Sequence, residues 1–262
     1  MQMPINTFKR ALRQGKPQIG LWMGLADPYV AELLATAGFD CLVIDAEHSP
    51  NDPRSVLPQL QAIAPYPVHP IVRPVHGSVV LVKQYLDIGA QTLIIPMVES
   101  EEQARRMVAA ARYPPRGVRG VGTAVARASR WNQIDDYVGR SDAEICVLVQ
   151  VESVDGMAHL ERIAAVDGVD GVFFGPADLA ASMGLPGRPG DPKVQDALLE
   201  GIATVARAGK AAGTLTSDRK LARRYLDQGA LFVAVGVDTT LMVKAASELA
   251  AEFIAPGPRA PG

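Results

Sequence analysis

Short apolar runs punctuate the chain, and segments of helical period fill the gaps between them. Eight runs stand out: Ile19–Trp22, Cys41–Asp45, Pro70–Arg73, Thr92–Pro96, Cys146–Glu152, Gly171–Gly175, Ala211–Leu215 and Leu231–Gly236. They are four to seven residues long and lack the strict apolar–polar alternation of a sheet wetted on one face. Such runs read as strands buried on both sides. Between them, Tyr29–Ala37 carries apolar residues at 30, 33, 34 and 37, and Val79–Ile88 carries them at 79, 82, 86 and 88. That spacing predicts helices, as do the patterns over Ser100–Arg112, Met157–Ala165, Pro192–Ala208, Lys220–Gln228 and Thr239–Phe253. Gly38-Phe39, Gly89-Ala90, Gly168-Val169 and Gly229-Ala230 follow helical stretches, with glycine where a left-handed C-cap turns helix into strand.

Repeated alternation of strand and helix with short joints requires a parallel sheet. Eight such units in 262 residues predict an α/β fold, a TIM-type (β/α)8 barrel of parallel strands. An open doubly wound sheet is the alternative. The barrel is expected to take residues 1–254 as one domain, and the Pro/Gly-rich tail 255–262 to be flexible. The longest insert, Tyr113–Asp142, follows the fourth unit.

Composition narrows the picture. At 48% hydrophobic residues the chain can fill a large core, and a net charge of -2 without a basic stripe argues against nucleic acid and membrane surfaces. No apolar run approaches the roughly 20 residues of a membrane span. Cys41 and Cys146 each open an apolar run and lack metal-ligand spacing. They read as buried thiols in a reducing compartment, hence a cytoplasmic protein.

In a barrel of this kind, chemistry gathers where the strands end. The exits carry Trp22, Asp45-Ala46-Glu47-His48, Arg73, Gln150 and Glu152, Gly175-Pro176-Ala177-Asp178, Leu215-Thr216 and Gly236-Val237-Asp238. Gln150 and Glu152 are two residues apart on one run, so their side chains point the same way. Glu152 and Asp178 are the acids of two neighbouring exits. With water and a chelating substrate they suit Mg²⁺, Mn²⁺ or Co²⁺. Plain structural uses compete: Glu152 could cap the next helix or pair with a surface base, and Asp178 could N-cap a helix over Leu179–Met183. His48 is the histidine beside other charges at an exit and is the candidate general base, with a turn residue before Ser49-Pro50 as the alternative. Arg73, held out of a helix by Pro74, can bind an enolate oxygen or a carboxylate. Asp87 stands near a helix C-terminus, where a carboxylate opposes the dipole by a few tenths of a kcal/mol, and so hints at a use. The glycines of Gly117–Gly122 lack dinucleotide spacing, and no lysine stands at the exits of the fifth to seventh runs for a Schiff base.

These residues resemble the HpcH/HpaI aldolase family. The likeness runs from about Phe8 to Phe253. It rests on Gly20-Leu21-Trp22, Ile44-Asp45-Ala46-Glu47-His48, Val72-Arg73-Pro74, Tyr113-Pro114-Pro115-Arg116-Gly117-Val118-Arg119-Gly120, Gln150-Val151-Glu152 and Gly175-Pro176-Ala177-Asp178-Leu179. The resemblance implies a homohexamer, a trimer of dimers, whose last helix exchanges between subunits. It implies a class II, divalent-metal-dependent aldehyde-lyase. Such an enzyme reversibly cleaves a 4-hydroxy-2-oxo acid, such as 4-hydroxy-2-oxoheptanedioate, to pyruvate and succinate semialdehyde, with hydroxypyruvate as a further donor. Glu152 and Asp178 would bind the metal. Gln150 and the backbone at Ala177 and Asp178 would bind the keto acid. His48 would be the base, Asp87 would raise its basicity, with Asp45 as a rival partner, and Arg73 would stabilise the transition state. The alternatives are a coenzyme A-thioester lyase, a 2-keto-3-deoxy sugar-acid aldolase and a silent keto-acid-binding barrel. The chain departs from the family pattern at His76-Gly77 and at Leu215-Thr216-Ser217-Asp218, which bear on the acceptor aldehyde.

Overall fold

The structure, a computed structural model, describes residues 1–254. Its strands are β1 (Gln18–Met23), β2 (Cys41–Asp45), β3 (His69–Arg73), β4 (Thr92–Ile95), β5 (Cys146–Val151), β6 (Gly171–Phe174), β7 (Ala211–Leu215) and β8 (Phe232–Val237). They pair in parallel and in chain order, and β8 returns to β1, so the barrel is closed and the open sheet is excluded. The helices are α1 (Thr7–Arg13), α2 (Pro28–Ala35), α3 (Pro53–Ile63), α4 (Val79–Asp87), α5 (Glu101–Ala111), α6 (Tyr137–Glu144), α7 (Val154–Ala158), α8 (Leu160–Ala164), α9 (Pro176–Ser182), α10 (Pro192–Arg207), α11 (Arg219–Asp227) and α12 (Asp238–Phe253). None is long and apolar enough to cross a membrane. The expected flexible tail lies outside the described residues.

The period of the chain does not single out α1, α3 or α6, for separate reasons. Seven-residue α1 buries little beyond Phe8 and Leu12. In α3 a capping box at Asp52 and Ser55 and a proline at N1 start the helix, while Pro58 interrupts the pattern. The eight residues of α6 lie inside the insert and bury only Tyr137 and Ser141.

Two apolar layers hold the fold. One lies between strands and helices. The other fills the barrel with Trp22, Cys41, Val43, Ile71, Ile94, Cys146, Leu148, Phe173 and Phe232. Gly20 makes room in this interior: a Cβ there would sit 2.9 Å from both Cys41 Sγ and a Phe232 ring carbon. Both cysteines are free and buried, and burial pushes their thiols up. By contrast, α12 leaves the barrel after Asp238. Its Leu241, Met242, Val243, Leu249 and Phe253 are exposed in the single chain.

The amino end of the barrel is a plug. Helix α1 places Phe8, fully buried, in a stack on His69 and edge-on to Phe232. Asn6 caps α1 through the Lys9 amide and donates its Nδ2 to Thr92 Oγ1, 2.9 Å away. The Thr92 hydroxyl is then free to donate to His69 Nε2, at 2.8 Å. Burial drives the His69 pKa down to about 3 from its ordinary 6.5. Between those values the unfolded chain binds a proton that the folded chain refuses, so acid weakens the fold. The stability advantage of wild type over His69→Gln should therefore shrink by about 2 kcal/mol between pH 7 and pH 5 in urea melts. A difference that does not move with pH would show that His69 titrates normally inside the barrel.

Candidate active site

Asp45 and Arg73 end adjacent strands and stand directly opposite each other in register. The Asp45 carboxylate accepts from Arg73 Nε at 2.9 Å and Nη2 at 2.7 Å, a two-pronged pair buried on both sides. Burial pushes the Asp45 carboxyl up, but Arg73 and hydrogen bonds from the Glu47 amide and Trp22 outweigh it and hold the group below its usual range. From β1, the Trp22 ring lies against the guanidinium face, 4.7 Å from its centroid to Cζ. Arg73 therefore enters the rim in one fixed orientation.

The remaining guanidinium nitrogen, Nη1, is 2.9 Å from Glu47 Oε2. That oxygen is buried, and no hydrogen bond of proper direction reaches it. It is also 3.9 Å from Nε2 of His48, whose side chain is 63% exposed. Burial raises the Glu47 carboxyl, Arg73 and His48 oppose this, and Asp45 and Asp178 add to it.

Across the rim, β5 delivers Gln150 and Glu152, both buried. Gln150 Nε2 donates to Glu152 Oε2, and the Met97 amide donates to Oε1 at 2.9 Å. Met97 holds a left-handed φ of 55°, an uncommon conformation for a non-glycine residue, at the position that aims this amide. Gly175 leaves the space that Glu152 fills, since a Cβ there would collide with Oε2. Burial above all, with the charges of Asp178 and Glu47, pushes the Glu152 carboxyl up to about 7 against those two hydrogen bonds. Gln150 Oε1 is buried without a hydrogen-bond partner.

Asp178 is exposed at the third position of α9, whose N-cap is Gly175, so it caps nothing and the capping alternative is set aside. Its carboxylate meets the positive end of the helix. The amides of Ala177 and Asp178 belong to the first turn, where N–H groups have no partner within the helix. The Asp178 charge is felt at Glu152, beside the orphaned amide oxygen of Gln150. Two hard oxygen donors in this setting fit a divalent cation that keeps open positions. Among the described residues, no group of three or more His, Cys, Asp or Glu side chains forms a closed cage.

Within the single chain, Asp87 is paired elsewhere and not with His48. Asp87 ends α4, on the side that leads into β4, and therefore lies at the amino rim. Its Oδ1 accepts from Nη2 of Arg119 at 2.7 Å. Arg119 is fully buried, with Cζ 4.5 Å from the Tyr113 ring centroid and 5.9 Å from that of Tyr137. Asp45, the rival partner, is engaged by Arg73. The strand exits gave Trp22, Asp45 and Glu47 as residues but not the Asp45 fork, the Trp22 platform or the Glu47 contacts, and Met97 went unmarked. The fork was available in principle, since Asp45 and Arg73 end neighbouring runs; nothing in the sequence marks Met97.

Comparison with known proteins agrees with this fold. Residues 18–245 match the family model described as HpcH/HpaI aldolase/citrate lyase. The chain is 60% identical over 262 residues to a hydroxypyruvate/pyruvate aldolase of Pseudomonas aeruginosa, covering 99% of this chain and 98% of that one. It is 59% identical over 248 residues to a 4-hydroxy-2-oxo-heptane-1,7-dioate aldolase of Salmonella paratyphi B, covering 95% of this chain and 94% of the other. A crystal structure of a family protein from Burkholderia cenocepacia superposes with a TM-score of 0.91 at 40% identity, covering 94% of this chain and 98% of that one. The family match takes in every strand and every rim residue described above, and the chain belongs to the HpcH/HpaI aldolase/citrate lyase family.

Proposed function

We propose that this protein is a divalent-metal-dependent aldolase that reversibly cleaves a 4-hydroxy-2-oxo acid to pyruvate and an aldehyde. One observation carries the reading: two carboxylates, Glu152 buried beside Gln150 and Asp178 in the first turn of α9, stand at the same rim as a pre-oriented Arg73. The relatives' names support the donor class, hydroxypyruvate as well as pyruvate, and 4-hydroxy-2-oxoheptanedioate as one substrate, whose C3–C4 cleavage gives pyruvate and succinate semialdehyde.

Glu152 and Asp178 would hold Mg²⁺, Mn²⁺ or Co²⁺, which supplies Lewis acidity to the oxo acid when bound. The first-turn amides of Ala177 and Asp178 receive the substrate carboxylate, and Gln150 lines the keto side. Arg73 offers its charge to the oxygen that becomes the enolate. Because Asp45 and Trp22 already fix the guanidinium, little reorganisation is needed as charge develops. His48 takes the proton from the 4-hydroxyl oxygen as the C3–C4 bond breaks, and a proton returned to C3 completes pyruvate.

Asp87 would raise the basicity of a His48, and its place at the amino rim requires that this histidine belong to another copy. The exposed apolar side chains of α12 support an assembly in which that helix packs on a neighbour, in a homohexamer built as a trimer of dimers. Two buried free thiols fit the reducing cytoplasm.

Chelation should abolish cleavage, and Mn²⁺, Co²⁺ or Mg²⁺ should restore it, followed by coupled assay of released pyruvate. Borohydride added with pyruvate should trap nothing; a lysine adduct in the mass spectrum would replace this mechanism by a Schiff base. Mixed assemblies offer a separate check. His48→Ala and Asp87→Asn subunits, each nearly inactive alone, should regain about a quarter of wild-type activity when co-refolded in equal amounts, since each residue is then supplied by a different subunit. No recovery would place Asp87 outside the catalytic machinery.

A further inference from the structure

Glu47 is a half-buried acid at this rim, with one fully buried oxygen, that the reaction above does not use. Asp45 shows what a structural carboxylate looks like here, with several directed hydrogen bonds and a carboxyl held low. Glu47 is different. Its Oε2 is buried without a directed hydrogen bond, in the field of two further carboxylates, Asp178 and Glu152. A placement that does so little for folding points to a use.

That oxygen lies between two groups. Arg73 Nη1, the one guanidinium nitrogen that Asp45 leaves free, is 2.9 Å away, and His48 Nε2 is 3.9 Å away. His48 is otherwise loosely held, with 63% of its side chain exposed. An imidazole that must meet a substrate hydroxyl needs a group to orient it. It also needs a counter-charge while it carries the transferred proton. Within the same chain as His48, Glu47 is the carboxylate placed to do both, beside whatever a neighbouring Asp87 adds. A role as a third metal ligand fits less well, since the oxygen is already against Arg73 and the described residues form no three-carboxylate cage.

We propose that Glu47 is a positioning residue of the aldol reaction, whose single oxygen Oε2 ties Nη1 of Arg73 to Nε2 of His48. The inference rests on the aldolase reading above. It keeps the charge that steadies the enolate and the nitrogen that moves the proton at one spacing throughout turnover.

The test uses full-length wild type, Glu47→Gln, Glu47→Asp and Glu152→Gln. It measures kcat and KM for cleavage of 4-hydroxy-2-oxoheptanedioate, Mn²⁺ affinity by electron paramagnetic resonance, and Tm. Glu47→Gln should lower kcat by about thirtyfold or more, the scale of losing a preorganised charged contact. KM and Mn²⁺ affinity should stay within about threefold of wild type, because uniform binding and the metal ligands are untouched. Its Tm should hold, since Arg73 keeps its two-pronged pair with Asp45. Glu47→Asp keeps the charge on a shorter stem and should recover part of kcat. Loss of Mn²⁺ affinity as deep as in Glu152→Gln would make Glu47 a metal ligand and overturn the proposal. So would a kcat within about threefold of wild type, or a fall in Tm that accounts for the lost activity. If wild type itself neither binds Mn²⁺ nor cleaves the oxo acid, the aldolase reading fails and the role of Glu47 fails with it. Intact wild type beside an unaffected Glu47→Gln removes the Glu47 role alone.

Discussion

The buried pair of Asp45 and Arg73 fixes the polar end of this barrel. The two residues end neighbouring strands in register, and the fork between them holds a guanidinium where water is scarce. Removing either partner would strand a buried charge, at a cost of about 3–5 kcal/mol. The fork leaves over one nitrogen edge and one face, the first against Glu47 and the second against Trp22. The carboxylates around it are less well compensated. Asp45, Glu47, Glu152 and Asp178 against Arg73 sum to four negative charges and one positive, or -3 when all are ionised. A divalent cation would bring that to -1, and burial of Glu152 makes the relief larger than it would be in water.

Stability and chemistry occupy opposite ends of the barrel. At the amino end, α1 seals the interior with Phe8, and Asn6, Thr92 and His69 satisfy one another in a chain of hydrogen bonds. At the carboxyl end, Gln150 Oε1 and Glu47 Oε2 are buried without such partners, and Met97 takes a left-handed backbone to serve Glu152. Both ends are polar and both are buried. Inside the barrel the Asn6–Thr92–His69 chain is satisfied by the protein alone, whereas Gln150 Oε1 and Glu47 Oε2 are not.

Much of this was legible in the sequence because the barrel turns order along the chain into position in space. Once the apolar runs are read as strands, their last residues must share a rim, which places Arg73, His48, Gln150, Glu152 and Asp178 together before any distance is known. The short helices were less legible, because α1 and α6 bury too few apolar residues to show a period. Asp87 shows a different limit. Its misfit with the helix dipole was visible, but so was its place before Gly89, and the end of a helix in this fold lies at the opposite rim from the strand exits. Its partner Arg119 stands 32 residues further on, in an insert whose path no period reveals. The electrostatic links among Glu47, Arg73 and His48 depend on side-chain direction at a turn, which sequence spacing does not give.

The central claim is that Glu152 and Asp178 form a cation site facing Arg73. Anomalous diffraction from crystals grown with Mn²⁺ and pyruvate tests it most directly. The account predicts one strong peak bridged by Glu152 and Asp178, with pyruvate beside it and the Asp45–Arg73 fork intact. A peak centred elsewhere in the molecule, or none at saturating Mn²⁺, would contradict it.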